Sequence, residues 1–324
     1  MNELYESKKS FQQFILRSGN IFSIILILII FGTASAVINP NFMQLSNWMN
    51  IFRSVSVIGI MSCTLTFVML TGNIDLSCGS ILALCGCVCC SLVDRNIFAA
   101  ILAPLLVGAL FGLINGVLVG LIKVNSFVVT LGMQYVILSI AFFYTDSEYL
   151  VAKSEGWFKN ISQGSFMNTV PYSIFVFGIV VIICAFILHH TVFGAQLYMV
   201  GSNPIAAKFS GISSTKMIIK SYVIGGIGIG LSSILLVSRT MAAQPAMGEI
   251  YPFEVLTAVV VGGLSMSGGK GTIWGTLLGV LFVGILENGF TVMRLNSHIQ
   301  SICLGIALIL AVIFGNFAER RMHS

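Results

Sequence analysis

The chain has 324 residues, 57% of them hydrophobic and 8% charged, with a formal net charge of +5 and a mean hydropathy of +1.00. Soluble proteins carry about a quarter charged residues, so a soluble enzyme is excluded and an all-α integral membrane protein is expected. A spanning helix needs roughly 20 mostly apolar residues to cross about 30 Å of hydrocarbon, and the sequence offers ten such runs in what reads as a single polytopic domain, 1–324.

A short segment, 1–20, precedes the first run at 21–38. Lys8, Lys9 and Arg17 ahead of it, and Ala34-Ser35-Ala36 at its end, would also suit a secretory signal. Eighteen apolar residues are long for that purpose, and a first span is the expectation. The second run is 54–71 and the third, a short one, 79–93. Between them lies Gly72-Asn73-Ile74-Asp75-Leu76-Ser77, where Asp75 followed by Ser77 and Gly79 predicts a helix start: a carboxylate there accepts amide hydrogens and complements the helix dipole. Contact between Asp75 and a solute is the alternative.

Cys85, Cys87, Cys89 and Cys90 cluster inside the third run. On a helix only Cys85 and Cys89 share a face and no histidine is near, so the four are expected as small apolar filler and no metal is expected. In the fourth run, 97–122, Gly108, Gly112, Gly116 and Gly120 recur every four residues, and Gly271, Gly275 and Gly279 do the same in the ninth, 271–292. That spacing places each set on one helical face, where the missing Cβ lets another backbone come close.

The fifth run, 127–144, is followed by an outer segment, 145–170, too short for a domain. The sixth is 172–190, the seventh 217–238, the eighth, again short, 253–266, and the tenth 299–315. The two short runs suggest broken or re-entrant helices, tolerated only where backbone is buried in protein or lines a cavity.

A polar island interrupts this pattern at 194–220, within a predicted loop at 191–216. Asn203 followed by Pro204 predicts a helix start, and Gly211 fits the left-handed position that ends one about two turns later. Ile205, Ala206, Phe209 and Ile212 recur at helical spacing and make an apolar face, while Lys208 and Ser210 point elsewhere. Such a helix is either an interfacial linker or a docking surface.

With both termini cytoplasmic, ten of the sixteen basic residues fall inside, together with four of the eleven acids, which agrees with the positive-inside rule. The positive charge therefore needs no nucleic-acid partner. No nucleotide site appears: in 263–271 the Gly-Lys pair is one residue out of register for a P-loop, and Gly271 replaces the magnesium-holding hydroxyl, so a tight turn is expected. Nucleophile elbows and zinc-protease motifs are missing, which argues against an enzyme. No chain of acids and histidines suggests a proton relay, which argues against a self-contained secondary carrier.

Three segments carry a family resemblance that covers nearly the whole chain. TGNIDLSCGSILALCG (71–86) is similar to the G-[GN]-I-D-L-S-x-G-S signature of permease subunits of bacterial ABC importers for monosaccharides, the ribose, xylose, galactose and autoinducer-2 group, with Asn73 where glycine is usual. The stretch 188–212 resembles that family's cytoplasmic coupling loop, and 243–271 most resembles its ribose branch. One departure lies at 251–256, where only Glu254 of an acidic family pattern is retained.

The resemblance implies a multi-pass subunit of the bacterial inner membrane that carries a monosaccharide and binds no cofactor itself. ATP and magnesium would sit on a separate cytoplasmic ATPase, an extracytoplasmic binding protein would deliver the sugar, and a second copy or a sister permease would complete the pore within the lipid. It implies that Gly201, Asn203, Pro204, Ala206, Ala207, Ser210 and Gly211 form the ATPase-coupling helix. Asn73, Asp75, Ser77 and Gly79 would form the signature loop beside a solute path, with Gly108, Gly112, Gly116, Gly271, Gly275 and Gly279 packing helices. A permease of the same architecture for autoinducer-2, a nucleoside or branched-chain amino acids is the alternative.

Overall fold

Glycine placement sets the architecture. The computed structural model describes residues 28–29, 31–153, 156–167 and 169–323, with side chains at 297 and beyond 313 left out. The segment 1–20 and most of the first half of run 21–38 lie outside the described residues. Helix α1 covers residues 31–38 and ends at a 3-10 turn, Pro40–Met43. Then follow α2 (Leu45–Leu70), α3 (Cys78–Val93), α4 (Ile97–Gly120), α5 (Ser126–Tyr144), α6 (Trp157–Gln163), α7 (Tyr172–His190), α8 (Val192–Ser202), α9 (Pro204–Phe209), α10 (Ser214–Thr240), α11 (Tyr251–Val261), α12 (Ile273–Val292) and α13 (Ser297–His323). Among the described residues, six helices are long and apolar enough to cross a membrane: α2, α4, α5, α7, α10 and α12.

At the centre stand α2 and α10, whose apolar stretches are 83% and 72% buried, against 22% for α4 and α5, so the first pair is core and the second faces outward. Helix α10 runs antiparallel to α4 with the backbones almost touching. A Cβ on Gly108 would strike the carbonyl of Gly226, one on Gly112 that of Tyr222, and one on Gly116 the Cα of Ile219. The expected glycine face is therefore a seam, with α10 answering through Gly226 and Gly230 against Gly108 and Pro104. Without a hydrophobic difference between lipid and side chain, this close van der Waals fit is what holds membrane helices together.

The second glycine set behaves differently. Gly275 and Gly279 bring α12 against the carbonyls of Gly262 and Ala258 on α11. Gly271 is not on that face, contrary to the spacing argument: it precedes the helix, whose N-cap is Thr272, and adopts φ +141° in a turn. The Thr272 hydroxyl accepts the Gly275 amide at 3.0 Å, which fixes the helix start two residues after Gly271.

Other boundaries moved for local reasons. Helix α2 begins nine residues earlier than the run at 54–71, because Asn47 finds a partner across the bundle and exchanges hydrogen bonds with Asn288 of α12 at 2.8 and 3.0 Å. Helix α11 stops at Val261, short of the predicted 266, because Gly263 turns left-handed at φ +87°. The remaining short helix, α3, packs Cys85, Cys87, Cys89 and Cys90 in the interior, and the Cys85 thiol donates to the carbonyl of Pro104 at 3.3 Å.

The segment after α5 folds down as a cover. Two-residue strands β1 (Leu150–Val151) and β4 (Ala242–Ala243) pair antiparallel, as do β2 (Ser165–Phe166) and β3 (Val170–Pro171), so the all-helical expectation is modified by two small ladders. Phe158 of α6 is fully buried, and the carbonyl of that residue accepts the Ser238 hydroxyl at 2.6 Å.

Candidate functional site

The end of the bundle opposite that cover gathers the last residues of α2, the segment leading from it toward α3, the turn between α11 and α12, and the arm formed by α8 and α9. Helix α8 was not anticipated within the 191–216 loop. It starts because the Thr191 hydroxyl accepts the Gly194 amide at 3.4 Å, and Gly194 allows the sharp reversal over the Leu188 carbonyl. Phe193 then stacks on Phe67 of α2 at 6.2 Å, with the Lys220 ammonium of α10 6.0 Å from its ring.

Gly201 is the contact point of the arm with the bundle. A side chain there would strike the carbonyl of Leu70 and the amide of Gly269. That same Gly269 amide donates to the Leu70 carbonyl at 2.9 Å, and the Tyr198 hydroxyl donates to the Gly271 carbonyl at 2.6 Å. The turn carries Gly263, Gly268, Gly269 and Gly271 at positive φ, which glycine adopts without a Cβ clash. It is closed by Ser265 N–H on the Lys270 carbonyl at 3.1 Å, in keeping with a tight turn. Its Gly268 also packs on Gly72, so the two glycine-rich segments ahead of α3 and α12 touch.

The short helix forms as its sequence dictates. Asn203 Oδ1 accepts the amides of Ile205 and Ala206 at 3.1 and 3.0 Å, Pro204 occupies the first turn, and Gly211 follows at φ +78°. The Ser210 hydroxyl donates to the Ala206 carbonyl at 3.1 Å. The face divides in an unexpected way. Ala207 is the buried residue of the helix and Ile212 is half-buried, whereas Ile205 is 70% exposed, Phe209 is 89% exposed and Ala206 is exposed. Two large apolar side chains thus stand uncovered beside Lys208.

The signature loop is buried behind this arm. Asp75 Oδ1 accepts the Ser77 amide at 2.9 Å and the Ser77 hydroxyl at 2.6 Å. Ser77 Oγ in turn accepts from Asn115 Nδ2 of α4 at 2.8 Å. Asp75 therefore caps the turn ahead of α3 and not the helix itself: the N-cap is Ser77, whose hydroxyl is committed to Asp75 and makes no capping bond. Burial pushes the Asp75 carboxyl up to about 6, against the lowering effect of the Ser77 and Asn115 hydrogen bonds.

The neighbouring Ile74 backbone is held from two helices, its carbonyl accepting the Tyr222 hydroxyl at 2.9 Å and its amide donating to Ser126 Oγ at 3.3 Å. Asn73 reaches back to Thr71 Oγ1 at 2.8 Å. Gly79, the first small residue of α3, lets that helix meet the backbone of Gly248 and the ring of Pro252. Sequence reasoning missed Asn115, Tyr222 and Tyr198; for Asn115 and Tyr222 a polar residue or tyrosine inside an apolar run was the available signal.

Comparison with known proteins extends this picture. The family described as "Branched-chain amino acid transport system / permease component" matches residues 47–312. The ribose import permease protein RbsC of Escherichia coli K12 is 36% identical over 301 residues, 91% of this chain and 92% of its own. The fructose import permease protein FrcC of Rhizobium meliloti is 33% identical over 306 residues, 92% of this chain and 84% of its own. The L-arabinose ABC transporter permease protein AraH of Azospirillum brasilense is 32% identical over 314 residues, 96% of this chain and 91% of its own. No solved structure matches the chain. A family match over most of the length, on a multi-pass helical fold, places this chain among the permease components of that transport family.

Proposed function

We propose that the chain is the transmembrane permease of an ABC importer for a ribose-like monosaccharide, in a bacterial inner membrane, with ten spans in one domain and both termini cytoplasmic. The observation that carries the reading is identity of 36% to a ribose import permease across 91% of the chain. The family description names branched-chain amino acids, but the relatives compared above are named for sugars, and the sugar reading takes precedence for that reason.

In this reading the chain binds no cofactor. ATP and magnesium belong to a cytoplasmic ATPase subunit, a binding protein delivers the sugar outside, and a second copy or sister permease completes the assembly. Helix α9 is the docking element: Ile205 and Phe209 would enter an apolar recess on the ATPase, and movement would pass through α8 into Leu70 and Gly269, the backbone atoms that Gly201 meets. The signature loop at Asp75 would stand one layer behind, joined to the moving parts through Gly72 and Gly268.

The test is reconstitution with the ATPase and binding protein in proteoliposomes. Ribose loaded on the binding protein should stimulate ATP hydrolysis more than fructose or arabinose does. Stimulation by leucine and not by a sugar would overturn the substrate assignment.

A further inference from the structure

We infer a solute-contact site about halfway through the bundle, formed by Ser80 of α3, Gln134 of α5 and Glu249 at the entry to α11. Resting on the sugar-permease reading, it assigns polar contacts to a polyhydroxyl solute. The three side chains line one cleft together with Leu138, Pro245 and Pro252.

Gln134 stands eight residues into α5, about 12 Å from its first turn at 1.5 Å per residue, in a helix of 19 residues. Helix α11 has 11 residues, about 16 Å, roughly half of the hydrocarbon thickness. Its last residues lead into the turn that bonds Leu70 at the end of α2, so its first residues lie near the middle. The segment between α10 and α11 must therefore return from the far end to mid-depth before Glu249, and it runs beside α3: Ala243 packs with Cys87 and Cys90 near one end, and Gly248 meets Gly79 at the other.

Ser80 is 6% exposed, yet its hydroxyl has no hydrogen-bond partner among the described residues, and the side chains of Gln134 and Glu249 have none either. Glu249 is exposed on the surface of the protomer. A carboxylate facing hydrocarbon at the helix centre costs about 2.5–3.5 kcal/mol on insertion scales, and such residues turn to the bundle interior or to water. A serine, a carboxamide and a carboxylate supply donors and acceptors that match sugar hydroxyls, and the two prolines give the cleft firm apolar walls.

The test uses the full complex in proteoliposomes. Glu249→Cys is treated with a hydrophilic, positively charged methanethiosulfonate, with Ile182→Cys as control, a position 65% exposed in the middle of α7. The site predicts labelling at 249 well above the native-cysteine background and none above it at 182. Gln134→Leu and Ser80→Ala, at normal expression, should each lower ribose uptake, by about tenfold for Gln134→Leu, the effect of losing one hydrogen bond of about 1.4 kcal/mol. Equal labelling at 249 and 182 would overturn the water-lined site. Labelling at 249 with unchanged uptake in both variants would overturn solute contact. Labelling of Glu249→Cys, where the wild-type complex carries another solute whose uptake both variants lower, would support the site and count against ribose.

Discussion

The seam between α4 and α10 and the junction between the arm and the bundle are both built on glycine, yet they do different work. In the seam, Gly108, Gly112 and Gly116 lie on regular helix and admit a second helix along its length. At the junction, Gly201 meets the ends of elements, and Gly268, Gly269 and Gly271 hold positive φ in a turn. Spacing of four residues therefore identifies a packing face only where the helix continues through every position. Two antiparallel helices in contact along their length move as one body, whereas a contact between a short helix and a turn can pivot while its partners stay folded.

That difference orders the expected effects. The largest belongs to the seam: Gly112→Leu drives a side chain into the Tyr222 carbonyl, and such overpacking costs at least about 1–3 kcal/mol. Folded protein recovered from membranes, followed by size-exclusion profile in detergent, should fall sharply. A normal yield and profile would mean that the seam is looser than described. Gly201→Val should separate the two regions, since it disturbs Leu70 and Gly269 without touching α4. The expected outcome is a folded chain with sugar uptake reduced about tenfold or more, while parallel loss of folding would erase the distinction.

A buried carboxyl gives the third effect. The Asp75 carboxyl is raised to about 6 from an ordinary value of about 3.9, so the folded state holds its proton more firmly than the unfolded state does. The penalty is absent below about pH 4, grows as pH rises, and is complete above about pH 6, with a size of roughly 2–3 kcal/mol. The midpoint of thermal unfolding should fall as pH rises through that window and fall less steeply in Asp75→Asn, which keeps an acceptor for Ser77. Identical pH profiles would mean that Asp75 is solvated. The smallest effect is Tyr198→Phe, which removes the bond to the Gly271 carbonyl and should lower stability by about 1 kcal/mol in urea or heat.

Much of this was legible in the chain. Asn203, Pro204 and Gly211 carry their own instructions as cap, first turn and stop, so the short helix could be placed to the residue. The run at 172–190 was likewise found complete, because proline and a polar threonine bound it. What could not be read were features decided by distant partners. The early start of α2 depends on Asn47 meeting Asn288, and the role of Asp75 depends on Asn115 arriving from α4. The exposed pair Ile205 and Phe209 could be recognised as apolar, but which member of the face turns inward was settled by the packing of Ala207.

Docking of the ATPase on α9, as proposed above, rests on the uncovered face of Ile205 and Phe209. Its most direct measurement is co-purification of the ATPase subunit with Phe209→Arg, checked by uptake in proteoliposomes. The expected result is a normally folded permease that retains its seam and loses the ATPase and uptake together. Undiminished co-purification and wild-type uptake would contradict it.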